Sequence, residues 1–182
     1  AAGGVGQLLT QMITSRGGTV IATAGSAGKL EIARSRGAAE LIDYSKSEDL
    51  AADIRTAADR LGAHEGVDVV YDGVGKSTFD ASLSSLRRRG MLVLFGGASG
   101  QVPPFDLQRL NAGGSLFVTR PSLAHYIVET EELQARGREV FGDIAAGRLD
   151  IAIGGRYSFA DAAQAYRALE GRATTGKLIL IP

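Results

Sequence analysis

Short apolar segments alternate with segments of helical periodicity along the chain, and this alternation restricts the fold more than any other feature. We predict strands at residues 19–23, 40–43, 67–71, 90–95, 115–119 and 177–181. Helices are predicted at residues 26–36, 48–61 and 77–86, followed by one that ends near Gly147 and one that Ser158 opens as a cap. Parallel strands joined by helices form right-handed crossovers, with helices on both faces of the sheet. The sequence therefore predicts a doubly wound α/β fold.

A glycine-rich hexapeptide opens the chain and leads directly into a predicted helix. Ala1, Gly3 and Gly6 fit the pattern G-x-G-x-x-G with alanine in the first place. The apolar face of the helix is predicted from the spacing of five residues, Val5, Leu8, Leu9, Met12 and Ile13. Gly3 would let the backbone approach a pyrophosphate, and Gly6 would let the helix pack closely. The helix N-terminus would supply free N–H groups and a positive dipole end. We interpret the segment as the phosphate turn of a Rossmann-type domain.

The end of the next predicted strand indicates which dinucleotide would bind. A domain that prefers NAD usually carries Asp or Glu about 20 residues beyond the motif, where the carboxylate binds the ribose 2′-hydroxyl. This chain has Ala24-Gly-Ser-Ala-Gly-Lys29 there, with a hydroxyl at Ser26, an ammonium at Lys29 and no acid. Lys29 would lie in the first turn of a helix, where a cation opposes the helix dipole unless an anion binds nearby. The sequence therefore predicts NADP(H) as the cofactor.

Composition removes several other classes of function. The 20 basic and 20 acidic residues balance, which gives no electrostatic reason to bind nucleic acid. The chain has no cysteine and only two histidines, His64 and His125, so we predict no metal site. No apolar run approaches a membrane-spanning length, and we expect a cytoplasmic protein without a membrane partner. Neither histidine is placed in a pattern that indicates a catalytic acid or base.

Six stretches, taken together, resemble one known family. They are Ala1-Ala-Gly-Gly-Val-Gly6, Asp43-Tyr44, Val69-Val-Tyr-Asp-Gly-Val-Gly75, Arg89-Gly-Met-Leu-Val-Leu-Phe-Gly96, Gly114-Ser-Leu-Phe-Val-Thr-Arg-Pro-Ser122 and Ala173-Thr-Thr-Gly-Lys177. They resemble the cofactor-binding domain of the medium-chain dehydrogenase/reductases, in the zinc-independent quinone oxidoreductase branch similar to zeta-crystallin. The resemblance implies an NADPH-dependent oxidoreductase that passes a hydride to a quinone or other conjugated carbonyl compound.

The resemblance also implies roles for individual residues around the cofactor. Gly3, Gly4, Val5 and Gly6 would lie against the pyrophosphate, and Ser26, Lys29 and Tyr44 would surround the adenosine 2′-phosphate. Gly73 would face the cofactor's ribose, and Phe95, Gly96 and Ser99 would lie near the nicotinamide. Phe117 and Thr119 would border the nicotinamide, and Arg172 would reach the cofactor from the C-terminal segment. No catalytic residue is assigned, because the family's chemistry depends largely on alignment of the reactants and exclusion of water.

We expect residues 1–150 to form the NADP(H)-binding domain without its first strand, and residues 151–182 to return to an N-terminal substrate domain that this chain lacks. In the order 3-2-1-4-5-6 the first strand is central, so we expect the isolated chain to be unstable. The strand at 115–119 is an apolar edge, and there the resemblance implies a homodimer. Two other functions stay open: an enoyl-reductase segment of a larger synthase, and a non-catalytic nucleotide-binding module.

Overall fold

A computed structural model describes residues 1–171 and 174–182 of the chain. The helices within these residues are α1 (Gly4–Thr14), α2 (Ala27–Ser35), α3 (Leu50–Arg60), α4 (Phe79–Ser84), α5 (Gln108–Ala112), α6 (Thr130–Ala145) and α7 (Ala162–Glu170). The strands are β1 (Ile21–Ala24), β2 (Glu40–Asp43), β3 (Val67–Asp72), β4 (Leu86–Leu94), β5 (Phe117–Thr119), β6 (Ile153–Ser158) and β7 (Lys177–Ile181). None of the described helices has the length and apolar character that a bilayer crossing requires.

All strand pairings are parallel, as the alternation of strands and helices predicts. β1 pairs with β2, and β4 pairs with β3 on one side and β5 on the other. If β1 to β5 are counted as strands 2 to 6 of the doubly wound order 3-2-1-4-5-6, these pairs are its neighbours 3-2 and 4-5-6. No strand in the described part of the chain pairs with both β1 and β3. The prediction of a Rossmann-type parallel α/β fold is confirmed.

The chain separates into two compact units, of which the first comprises residues 1–46 and 135–182. Alanines form the core between β1, β2 and α2: Ala22 and Ala33 are almost completely buried, and Ala38 joins them. Because these side chains are small, the helix axis can lie close to the strands. This packing holds the N-terminus of α2 next to the end of β1.

The second unit comprises residues 47–134 and has a core of larger side chains. Leu86 and Leu92 of β4 are almost fully buried, and Phe79 of α4 packs edge-to-face on Phe105 with ring centroids 5.1 Å apart. Burying a leucine side chain contributes about 1.5–3 kcal/mol relative to leaving it exposed. The pairing of β3 with β4 therefore rests on a leucine core, and it fixes where the turns after both strands begin.

Four of the five residues predicted for the apolar face of α1, Leu8, Leu9, Met12 and Ile13, are partly buried, but they are not the most buried residues of the helix. Val5 is 53% exposed, and the buried residues of α1 are Gln7 and Thr10. Their polar groups have partners: Gln7 Nε2 donates to the carbonyl oxygen of Ala2 at 2.7 Å, Gln7 Oε1 accepts from Arg36 Nε at 3.0 Å, and Thr10 Oγ1 donates to the carbonyl oxygen of Gly6 at 2.9 Å. These hydrogen bonds let polar side chains take the buried positions.

The sequence did not predict β6, which pairs with β7 in a separate two-stranded sheet. Its segment contains Gly154 and Gly155, which disfavour a strand on propensity alone. A Cβ on Gly154 would clash with the carbonyl oxygen of Thr175, so only glycine permits these two segments of the chain to lie so close together. The capping prediction for Ser158 is confirmed, because its Oγ accepts a hydrogen bond from the N–H of Asp161 at 3.3 Å.

Candidate functional site

The N-terminus of α1 has the properties of an anion-binding site. Gly3 is its N-cap, and no side chain caps the helix or places a carboxylate in its first turn. The free N–H groups of the first turn therefore have no side-chain acceptor, and the positive end of the helix dipole is not neutralised locally. Val5 in this turn is 53% exposed. A phosphate group placed here would accept hydrogen bonds from these N–H groups directly.

The glycines of the motif differ in what surrounds them. A Cβ on Gly3 would meet nothing within 4 Å, so the space beside it is open to a ligand. A Cβ on Gly6 would lie 2.5 Å from the carbonyl oxygen of Ala1, so Gly6 is required for the close approach of α1 to the preceding residues. A Cβ on Gly4 would lie 3.2 Å from the carbonyl oxygen of Gly176. The predicted division between a ligand-facing and a packing glycine fits this geometry.

The C-terminal strand brings a lysine to the same helix, to which sequence reasoning assigned no role. Gly3 and Gly176 form an isolated parallel bridge, and Lys177 follows it as the first residue of β7. The Cδ and Cε atoms of Lys177 lie 3.4 and 3.5 Å from the position of a Cβ on Gly4. The stem of Lys177 therefore lies against the first turn of α1, and only its place in the motif Thr174-Thr-Gly-Lys177 could have drawn attention to it.

The turn after β1 carries the two residues predicted to bind the 2′-phosphate. Ser26 is the N-cap of α2 in extended conformation, yet its side chain makes no cap hydrogen bond, and the residue is exposed. Lys29 lies in the first turn of α2, as predicted, and that turn contains no acidic residue.

Tyr44 covers this turn from β2. A Cβ on Gly25 would lie 2.9 Å from Tyr44 Oη, and Tyr44 itself is 45% exposed. Asp43 precedes it and is the register partner of Ala24 at the end of β1. Its carboxylate accepts hydrogen bonds from the N–H and hydroxyl of Ser45 at 3.1 and 2.6 Å. The Ser45 hydroxyl holds the pKa of the Asp43 carboxyl below its usual value, and both hydrogen bonds from Ser45 reach the same oxygen, Oδ1.

The second unit holds the residues predicted around the ribose and nicotinamide, in the turns after β3 and β4. A Cβ on Gly73 would lie 2.8 Å from the ring of Phe95, and one on Gly96 would lie 2.4 Å from the carbonyl oxygen of Gly73. Ser99 Oγ donates to the carbonyl oxygen of Val74 at 2.8 Å. Because its one hydroxyl hydrogen is used there, Ser99 joins the two turns and does not present a free donor.

β5 exposes the remaining two predicted residues of this unit. Phe117 is 56% exposed and Thr119 is partly exposed, and they are paired in register with Met91 and Val93 of β4. Successive residues of a strand point to opposite faces, so Phe117 and Thr119 share one face. Arg172, the last residue predicted to reach the cofactor, lies outside the described residues.

Comparison with known proteins relates these turns to a family. The family model described as "Zinc-binding dehydrogenase" matches residues 4–140, which is most of the chain. The chain belongs to the zinc-binding dehydrogenase family. This model represents the cofactor-binding part of the medium-chain dehydrogenase/reductases, so the resemblance inferred from the sequence is confirmed. Residues 1–171 and 174–182 contain no group of three or more His, Asp or Glu side chains that could hold a metal ion.

The relatives within this family include quinone oxidoreductases. One from Salmonella typhimurium is 44% identical over all of this chain and 55% of its own length. A solved quinone oxidoreductase from Escherichia coli in complex with NADPH is 41% identical, with a TM-score of 0.91, over the whole chain and 55% of that structure. A mycobacterial protein solved with NADPH is 47% identical, with a TM-score of 0.92 and the same two coverages. The chain thus spans about half the length of the relatives it matches.

Proposed function

We propose that the protein containing this chain is an NADPH-dependent oxidoreductase that transfers a hydride to a quinone or another conjugated carbonyl compound, and that this chain binds the cofactor. The observation that carries the proposal is the turn after β1. Ser26 there makes no cap hydrogen bond, Lys29 follows in a helical turn without an acid, and the carboxylate of Asp43 is held by Ser45. The segment Ala24–Lys29 contains no carboxylate that could hold a 2′-hydroxyl, and a cation is placed to attract a 2′-phosphate.

The residues described fit the remainder of the cofactor. The first turn of α1 offers backbone N–H groups to the pyrophosphate beside the open space at Gly3, and Lys177 adds a cation there. The exposed ring of Tyr44 would stack near the adenosine. Phe95, Gly96, Phe117 and Thr119 would border the nicotinamide. When bound, NADPH supplies the hydride, and the protein orients the ring and excludes water from it.

The C-terminal segment forms a small apolar sheet that indicates packing on a second domain. β6 and β7 pair only with each other among the described strands, and Ile153 and Ile181 are each 40% exposed. An apolar two-stranded sheet is marginal alone and needs further packing. We therefore propose that residues 1–150 form the cofactor domain and that residues 151–182 pack on the part of the protein that would hold the substrate.

We further propose a homodimer formed by β5. This strand pairs with β4 on one side, and Phe117 and Val118 are exposed, at 56% and 37%. An apolar edge strand with unpaired backbone groups can pair with the same strand of a second copy.

The activity is tested directly on the full-length protein. NADPH oxidation should require a quinone or an unsaturated ketone as acceptor, and NADPH should remain unoxidised with saturated ketones of similar size. Turnover with a quinone would support the proposal. Tight NADPH binding with no turnover on any such acceptor would contradict the reaction, and absence of NADPH binding would contradict the cofactor assignment as well.

A further inference from the structure

Asp72 is a buried carboxylate at the end of β3, and only 4% of it is exposed. Its Oδ1 accepts hydrogen bonds from the backbone N–H groups of Val74 at 2.7 Å and Gly75 at 3.0 Å. Its Oδ2 accepts from the hydroxyls of Thr78 at 2.8 Å and Ser82 at 2.9 Å. An ionised carboxylate has about four acceptor positions. Four donors therefore fix its orientation, and the carboxylate in turn fixes the backbone of the turn that follows β3.

The same residue also joins this turn to the one after β4. The carbonyl oxygen of Asp72 accepts from the N–H of Phe95 at 2.9 Å and of Gly96 at 3.3 Å. The carbonyl oxygen of Val74 accepts from both the N–H and the hydroxyl of Ser99, each at 2.8 Å. A change in the conformation of residues 73–75 would therefore shift the turn at 95–100.

We propose that Asp72 is a positioning residue for the nicotinamide half of the cofactor: its carboxylate sets the turn at 73–75 and, through it, the turn that carries Phe95 and Gly96. This inference rests on the proposed function. Asp72 belongs to the second unit, whereas the residues assigned to the adenosine half, Ser26, Lys29 and Tyr44, belong to the first. A loss of the Asp72 interactions should therefore weaken contacts to one half of the cofactor and spare the other.

Asp72→Asn tests this with little change in volume. The amide oxygen can still accept from the two backbone N–H groups, but the NH₂ group must face the hydroxyls of Thr78 and Ser82, and the charge-assisted bonds are lost. We expect the full-length variant to bind NADPH about tenfold more weakly, the equivalent of about one lost hydrogen bond to the nicotinamide half. Binding of adenosine 2′,5′-bisphosphate, which is the adenosine half of NADP(H), should be unchanged.

Asp143→Asn is the matched control, because Asp143 is also buried, at 8% exposure, and accepts from Arg148 Nε at 2.9 Å. It should lower the melting temperature without a selective loss of NADPH. Unchanged NADPH binding in Asp72→Asn, an equal loss for both ligands, or the same selective loss in Asp143→Asn would each overturn the inference. A wild-type protein that binds neither ligand would overturn the proposed function itself.

Ser82→Ala extends the test if Asp72→Asn does not fold. It removes one hydroxyl donor from Oδ2 and leaves both backbone hydrogen bonds in place. A selective loss of NADPH smaller than tenfold is expected, with full retention of adenosine 2′,5′-bisphosphate binding. Wild-type affinity for NADPH in Ser82→Ala, together with an unfolded Asp72→Asn, would mean that the carboxylate supports the fold alone and would overturn the inference.

Discussion

The ring of Tyr44 occupies the space that any side chain on Gly25 would need. A Cβ built on Gly25 falls 2.9 Å from both Cε2 and Oη of that ring. Real Cβ contacts are essentially never this short, so a side chain at this position would force the ring of Tyr44 to move. The contact holds Tyr44 beside Ser26, at the place proposed for the adenosine 2′-phosphate.

Gly25→Ala should therefore displace the ring of Tyr44. We expect only a small loss in the free energy of unfolding, because the half-exposed ring of Tyr44 can turn away, but weaker binding of NADPH. Gly137→Ala is the control, since a Cβ there meets nothing within 4 Å and the residue lies inside α6. It should stabilise the protein by up to about 1 kcal/mol through helix propensity. Thermal unfolding and an NADPH titration of both variants would measure these effects, and unchanged NADPH binding in Gly25→Ala would contradict the role proposed for the ring of Tyr44.

The turn after β4 contains two neighbouring glycines whose substitution by alanine should have opposite effects. A Cβ on Gly96 would lie 2.4 Å from the carbonyl oxygen of Gly73, whereas one on Gly97 would meet the carbonyl oxygen of Gly100 at 3.5 Å, an ordinary contact. Gly96→Ala should separate the two turns, destabilise the fold by about 1–3 kcal/mol and weaken NADPH binding. Gly97→Ala should be nearly neutral in both measurements. Similar melting temperatures for the two variants would show that the turns are not held as described.

The sequence predicted the strands and their order because short apolar runs between helices leave few arrangements of a parallel sheet. It did not predict β6, because the requirement for Gly154 arises from Thr175, a residue distant in the chain. For the same reason it assigned no role to Lys177, whose contact with Gly4 depends on the bridge between Gly3 and Gly176. Periodicity placed Leu8, Leu9, Met12 and Ile13 on a face of α1 that is partly buried. It did not predict that Gln7 would be buried more deeply, since periodicity does not register the hydrogen bonds that allow this.

Lys177 should contribute to both nicotinamide cofactors alike. Its stem lies against the first turn of α1, where the pyrophosphate common to NADPH and NADH would bind. Lys177→Gln should weaken the binding of both cofactors by about tenfold, the equivalent of one charge-assisted hydrogen bond. Parallel titrations of the two cofactors would measure this. A loss confined to NADPH would place the ammonium at the 2′-phosphate and contradict the assignment.

The proposed dimer depends on β5, and Val118 is the residue of this strand that is assigned no contact with the cofactor. Val118→Lys should add a charge to the edge and convert the full-length dimer to a monomer. Val128→Lys is the control, because Val128 is 68% exposed and lies outside the strand. Light scattering at micromolar concentration would distinguish the variants. A wild-type monomer, or a dimer that survives Val118→Lys, would contradict the proposed interface.

The preference for NADPH over NADH tests the account most directly. A charge-assisted bond from Lys29 to the 2′-phosphate should contribute about 1.5–3 kcal/mol, which is about ten- to a hundredfold in affinity. Fluorescence titration of the full-length protein should therefore give a dissociation constant at least about tenfold lower for NADPH. Lys29→Ala should remove most of that difference by weakening the binding of NADPH while leaving the binding of NADH nearly unchanged. Equal affinity of the wild-type protein for the two cofactors would contradict the account, and an equal loss of both in the variant would mean that Lys29 supports the fold and does not bind the phosphate.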